Sequence, residues 1–193
     1  ISISYNSCRN RHCPKCQGRN REQWIENRET ELLPVPYFHV VFTLPEVLNK
    51  TALHEPKMLY DILFESAWET LQTFGKNKNL QMGMIAVLHT WGQNLSLHPH
   101  LHCIVPGGGV DENGAWKNIK NDGKFLFPVK ALSKVFRAKF CEKLKANLKD
   151  KFNENQENEY EKIRQSLWEK PWVVYAKKPF GSPKSVVEYL GRY

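Results

Sequence analysis

The chain has 193 residues and a formal charge of +8, from 28 Lys and Arg against 20 Asp and Glu, with a pI near 9.2. That length supports one domain with a proper core and a small appendage at one end, and the surplus of cations points to a polyanionic partner, which composition leaves open between nucleic acid, ribosome and membrane surface. No run approaches the roughly 18 uninterrupted apolar residues of a membrane span and no secretory leader is visible, so a soluble, cytoplasmic protein is expected.

The segment 1–21 is cysteine-rich, basic and short of apolar residues, so it cannot build a core of its own. Its Cys8, Cys13 and Cys16 are spaced Cys-x4-Cys-x2-Cys, which in a cytosolic protein reads as zinc binding before it reads as disulfide. His12 is adjacent to Cys13, and neighbours chelate one ion tetrahedrally only with difficulty, so it is not assigned as a fourth ligand. A helical run from Arg21 to Leu33 follows, stopped by Pro34 and Pro36.

Beyond it, PYFHVVFTLP has the β-branched and aromatic content of a strand. Leu59, Ile62, Leu63, Ala67, Leu71 and Phe74 give helical spacing to the stretch from Lys50 to Phe74. Two strands are then predicted over 83–91 and 100–105, joined by the short polar connector GQNLS. Gly107, Gly108 and Gly109 lack the Lys-Ser/Thr of a phosphate loop and read as a loop that lets another backbone approach. A DENG turn and a short AWKNI strand lead to a basic helix over 129–152. Its lysines read as a solvated outer face before they read as a binding face. A helical piece ending near Trp168, the strand PWVVYAKKP and a C-terminal helix complete the chain, with Ser182 as cap and Pro183 at its first position. The order β-α-β-β-α-β with insertions predicts an α+β fold, a split βαβ unit with an antiparallel sheet, helices on one face and the two histidine-bearing strands central. Cys103 and Cys141 read as small core residues, and His39 and His54 as ordinary structural histidines.

Chemistry concentrates in LHTWGQNLSLHPHLHCIVPG. Residues two apart on a strand share a face, so His100 and His102 present their imidazoles side by side. With His89 from the preceding strand they can hold a divalent ion and leave coordination positions open, as catalytic sites do. Histidines at this spacing also occur as plain surface or hydrogen-bonded core residues. Tyr189 and Tyr193, four apart, emerge on one helix face, a spacing that more often marks core packing than chemistry. Metal, phenol and basic surface form a coherent set for a phosphodiester substrate: the ion polarises the phosphate and a tyrosine oxygen attacks in line.

The pattern His100-Leu101-His102 resembles the histidine-hydrophobe-histidine motif of the HUH endonucleases, and His89 has the spacing of the third metal histidine of conjugative relaxases. More closely, SCRNRHCPKCQ, PYFHVVFTLP, HTWGQNLSLHPHLH and YLGRY together resemble the two-tyrosine transposases of rolling-circle insertion sequences, in the right order and over nearly the whole chain. The resemblance implies an enzyme that cuts one DNA strand at an element end, remains joined to the 5′ phosphate through tyrosine, and transfers the strand. It implies Tyr189 and Tyr193 as paired nucleophiles, Mg²⁺ or Mn²⁺ at the histidines, Zn²⁺ at the cysteines, single-stranded element ends as partner, and a place at the bacterial nucleoid. Residues 1–33 then correspond to part of a zinc-binding module with its linking helix, and 34–193 to the nuclease domain. Arg9, Arg11, Lys15, Lys177 and Lys178 are candidate DNA contacts, and Gln93 and Glu188 candidate supports for the ligands. Ile1 and Tyr193 both suggest cut ends, and a nucleophile on a terminal residue is poorly held, so intact metal binding with weak strand transfer is expected. A non-catalytic zinc-dependent DNA-binding protein, an inactive remnant and a hydrolase that uses water are the competing readings.

Overall fold

Proline lacks a backbone N–H and suits the first position of a helix. In the computed structural model, which describes residues 14–92, 94–119, 126–148, 154–177 and 183–191, helix α1 accordingly runs Pro14–Thr30. It begins before the expected Arg21, because Lys, Gln and Arg are good helix formers and need no buried face to continue a turn.

Strand β1, Tyr37–Thr43, alternates between two covered faces. A short 3-10 turn, Glu46–Leu48, leads into α2, Asn49–His54, and then α3, Pro56–Lys76. The single helix expected over 50–74 is thus two. Glu55 cannot stay helical before Pro56 and takes φ −129° and ψ 54°, while the proline opens α3 at its first position. Strands β2, Ile85–Trp91, and β3, Leu97–Pro106, follow. β3 starts earlier than expected, so His98 belongs to the strand.

The glycines form a strand as well: β4, Gly108–Val110, pairs with β5, Trp116–Asn118, around the DENG turn. Asp111 Oδ1 accepts from the Asn113 and Ala115 amides at 3.0 and 2.9 Å, and Gly114 supplies the positive φ of 76°. The reason for glycine here is the close approach that the sequence anticipated. A Cβ on Gly109 would lie 2.5 Å from the Gln81 carbonyl oxygen, and one on Gly108 would collide with that of Lys117. Helices α4, Val129–Leu148, and α5, Glu154–Glu169, then lead to β6, Val174–Lys177, and α6, Pro183–Leu190.

Among the described residues, the main sheet has the order β2-β3-β1-β6, antiparallel throughout. The histidine strands are therefore not both central: β3 and β1 are, and β2 is an edge. Burial explains the order, since residues 101–106 of β3 are buried on both faces whereas most of β2 is only half-buried.

One face carries Phe38, Val40, Phe42, Leu101, Cys103 and Val105 against α3 and α4. Phe136 of α4 packs its ring 4.9 Å from Phe42 and 5.3 Å from Trp172, and Ser133 Oγ donates to the Trp172 carbonyl at 2.6 Å. Cys103 and Cys141 are buried there, and burial raises both thiols, Cys141 to about 11, as suits inert core residues. Lys139 and Lys143 of the basic helix pair with Glu65 and Glu69 of α3 at 2.8 to 3.5 Å, so part of that cluster ties two helices together. This is the expected helical layer, but the other face is not bare. Tyr37 and Ile104 there meet Val187 and Leu190 of α6, with Trp24 and Ile25 of α1 beside them.

Among the described residues, no helix is long and apolar enough to cross a membrane. Gly109→Ala should cost about 1–3 kcal/mol of stability, because backbone carbonyl and Cβ cannot share that space. Urea unfolding of the variant beside the parent chain measures it.

Candidate metal centre

The antiparallel register sets His89 of β2 directly opposite His100 of β3, and Val87 opposite His102. Side chains opposite one another, or two apart, share a face, so all three imidazoles stand on the side of the sheet away from α3 and α4. Their ring centres lie 4.3 to 5.2 Å apart, and one nitrogen from each lies within 4.8 Å of the others. A small closing of the rings would bring these nitrogens onto one ion with bonds of about 2.1 Å. The connector that returns β2 to β3 is as tight as the sequence implied. The Gly92 amide donates to the Ser96 carbonyl at 2.9 Å, Asn94 Oδ1 accepts from Ser96 Oγ at 2.6 Å, and Leu95 sits at φ 60°.

Two further contacts bear on which nitrogens are free to face an ion. His100 Nδ1 lies 2.6 Å from the His98 carbonyl oxygen. A carbonyl only accepts, so Nδ1 carries the proton and the lone pair is on Nε2. His102 Nδ1 lies 2.7 Å from His39 Nε2, with the two rings stacked at 11°. With Nε2 of His102 as ligand atom, its Nδ1–H donates to His39, a partner that fixes tautomer and ring orientation. His39 was expected to be an ordinary structural histidine. Its role follows from the pairing of β1 with β3, which sets Val41 opposite His102 and puts His39 two residues along the same face. The signal available in sequence was one polar side chain in the middle of an otherwise apolar strand, YFHVVFT.

Burial pulls the His102 imidazole down to about 3 and that of His89 to about 4, and neighbouring rings add to both shifts. Burial lowers His100 too, against the opposing effect of its bond to the His98 carbonyl. All three are neutral near pH 7, the form that binds a cation. The donor set therefore fits a divalent metal.

The tyrosine helix packs on the same face. Val187 and Leu190 of α6 are buried against Ile104, two residues beyond His102 on β3. Tyr189 belongs to this helix. Tyr193, Lys178, Gln93, Cys8, Cys13, Arg9 and Arg11 lie outside the described residues. Lys15 and Cys16 fall in the first turns of α1. Lys177 stands opposite His39 in the β1–β6 ladder, on the histidine face. Glu188 is exposed.

The pattern of a transposase family described as "Putative transposase" matches residues 83–193, from ahead of β2 past the end of α6. The chain belongs to that family. A second pattern, "Transposase zinc-binding domain", matches residues 1–44 and so takes in the cysteines, α1 and β1 of this transposase-family chain. It is 44% identical over 202 residues to "Putative transposase y4qJ" of Sinorhizobium fredii (strain NBRC 101917 / NGR234), covering 99% of this chain and 50% of that protein. It is 40% identical over 114 residues to the "Transposase for insertion sequence element IS801" of Pseudomonas savastanoi pv. phaseolicola, covering 59% of this chain and 28% of that one. The chain thus spans half or less of the length of these relatives. Among solved structures it is similar to the conjugative relaxase TrwC. The complex with a 27-mer DNA comprising the recognition hairpin and the cleavage site gives a TM-score of 0.42 at 16% identity, over 56% of this chain and 44% of that chain. A metal-free complex with OriT DNA gives 0.43 at 11%, over 80% and 70%.

Replacing His102 by Ala should abolish Mn²⁺ binding in isothermal titration. His39→Ala should weaken it by roughly 10- to 100-fold, and His39→Gln, whose amide oxygen can still accept from His102, should recover part of the loss.

Proposed function

We propose that this chain carries the cleavage and strand-transfer centre of a rolling-circle insertion-sequence transposase. The observation that carries the reading is the docking of α6, the helix of Tyr189, on the sheet face that bears His89, His100 and His102. A nucleophile helix and a metal-ligand cluster on one rigid face are what in-line attack on a phosphodiester requires. Similarity to a transposase of an insertion sequence supports the same assignment.

The phenolic oxygen of one of the pair, Tyr189 or Tyr193, attacks the scissile phosphorus and gives up its proton. The bond to the 3′ oxygen breaks, leaving a free 3′ hydroxyl and a 5′ phosphate esterified to tyrosine. Because one phosphate ester is exchanged for another, no nucleotide hydrolysis is needed. The other tyrosine of the pair is the second nucleophile, which lets one strand end be held while another is cut. His89, His100 and His102 hold a divalent ion that supplies positive charge at the scissile phosphate when bound. Mg²⁺ or Mn²⁺ is the working ion, although three imidazoles alone would favour a later transition metal. Cys8, Cys13 and Cys16 bind Zn²⁺ in a module that docks on the element end. Arg9, Arg11, Lys15, Lys177 and Lys178 contact the phosphate backbone, and the protein acts at the bacterial nucleoid.

Labelled single-stranded DNA from an element end, incubated with Mn²⁺ and resolved on a denaturing gel, tests the reading. A protein-linked band should form, vanish with EDTA, and vanish in the Tyr189→Phe/Tyr193→Phe variant. Cleavage that survives this double replacement would show water to be the nucleophile. Retention without any covalent band, across end sequences and metals, would leave a binding module.

A further inference from the structure

Helix α6 has eight residues and α1 has seventeen, of which Trp24 and Ile25 are the large apolar ones. Helices so short, or so sparsely apolar, are marginal alone and take their stability from what they pack on. Here they pack on each other. Gly191, directly after α6, is so close to α1 that a Cβ added to it would lie 2.6 Å from Cγ1 and 2.7 Å from Cδ1 of Ile25. The Gly191 amide also donates to the Val187 carbonyl at 2.8 Å, which holds this contact in continuity with the helix. At the other end of α6, Lys184 Nζ meets Glu29 Oε2 at 3.2 Å. The contacts lie either side of position 189 in the sequence. Ile25 and Trp24 belong to the same apolar cluster as Val187, Leu190 and Ile104, so α1, α6 and β3 close one pocket of packing.

We propose that α1 is the seat of the tyrosine helix, with Ile25 fitted against Gly191 and Glu29 against Lys184 as positioning residues that set where Tyr189 stands relative to the histidine face. The inference rests on the reading of Tyr189 as nucleophile. It adds that the helix leading out of the cysteine segment is part of the cleavage apparatus and not merely a tether for DNA recognition. Glycine at 191 fits this seat closely: a side chain there would have to displace the outer carbons of Ile25. An error of about 1 Å in a nucleophile's place can cost on the order of 100-fold in rate, so small shifts of α6 are sufficient to be seen.

The test uses the whole chain with Ile25→Ala, Gly191→Val and the two combined. Three quantities are read: hydrogen exchange of α6 amides, the rate of covalent adduct formation with Mn²⁺ and single-stranded DNA, and Mn²⁺ affinity. Each single variant should speed α6 exchange by about 10-fold or more and slow adduct formation, with Mn²⁺ affinity unchanged. The pair should exchange more slowly and react faster than Gly191→Val, because the smaller residue 25 makes room for the larger residue 191. A Glu29→Lys/Lys184→Glu swap should likewise recover what either charge reversal loses. Unchanged α6 exchange in both single variants, parallel loss of Mn²⁺ affinity, or a pair no better than Gly191→Val would each overturn the proposal. Tyr189→Phe/Tyr193→Phe serves as control: adduct formation that survives it refutes the tyrosine-nucleophile reading, while α6 exchange still reports on the seat.

Discussion

The pairing of β2 with β3 is the constraint on which the site depends. His89 lies opposite His100 in one register only, and a slip by one residue would send every side chain of a strand to the other face. What defends that register is apolar: the same pairing sets Leu88 opposite Leu101 and Ala86 opposite Cys103, against the layer of α3 and α4. The polar geometry on one face is thus held by hydrophobic packing on the other. The tight 92–96 connector reinforces it by leaving little slack between the strands.

The histidine face is graded along the strands. Ile85, Ile104 and His39 form one row across the ladder; Val87, His102 and Val41 the next; His89, His100 and Thr43 the third. The apolar end of this gradient carries α1 and α6, and at the histidine end His89 and His102 are buried while His100 is half-buried.

Much of this was legible before any coordinates. Period-two alternation places His100 and His102 together, the short polar connector brings back His89, and Ser182-Pro183 announces the last helix. The local grammar of proline also contained the break at Pro56, which apolar periodicity overrode. Other features were not local. That β2 is an edge, and that His39 backs His102, both follow from β1 pairing with β3 across more than sixty residues of chain, and no spacing within β1 reveals its neighbour. The docking of α1 on α6 was hidden for a different reason. Trp24 and Ile25 are adjacent rather than repeated at helical spacing, so they form a contact point without forming a stripe.

The ties made by the basic helix bear on how the charge of the molecule is to be counted. Lys139 and Lys143 answer Glu65 and Glu69, and Arg137 lies 4.4 Å over the ring of Trp168 while donating to the backbone carbonyls of Trp168 and Lys170. Cations held this way are committed to the fold and displace few counterions when a phosphate backbone arrives. The 28 Lys and Arg therefore overstate the cations left to grip phosphates, whereas the ion pairs already cancel within the formal +8.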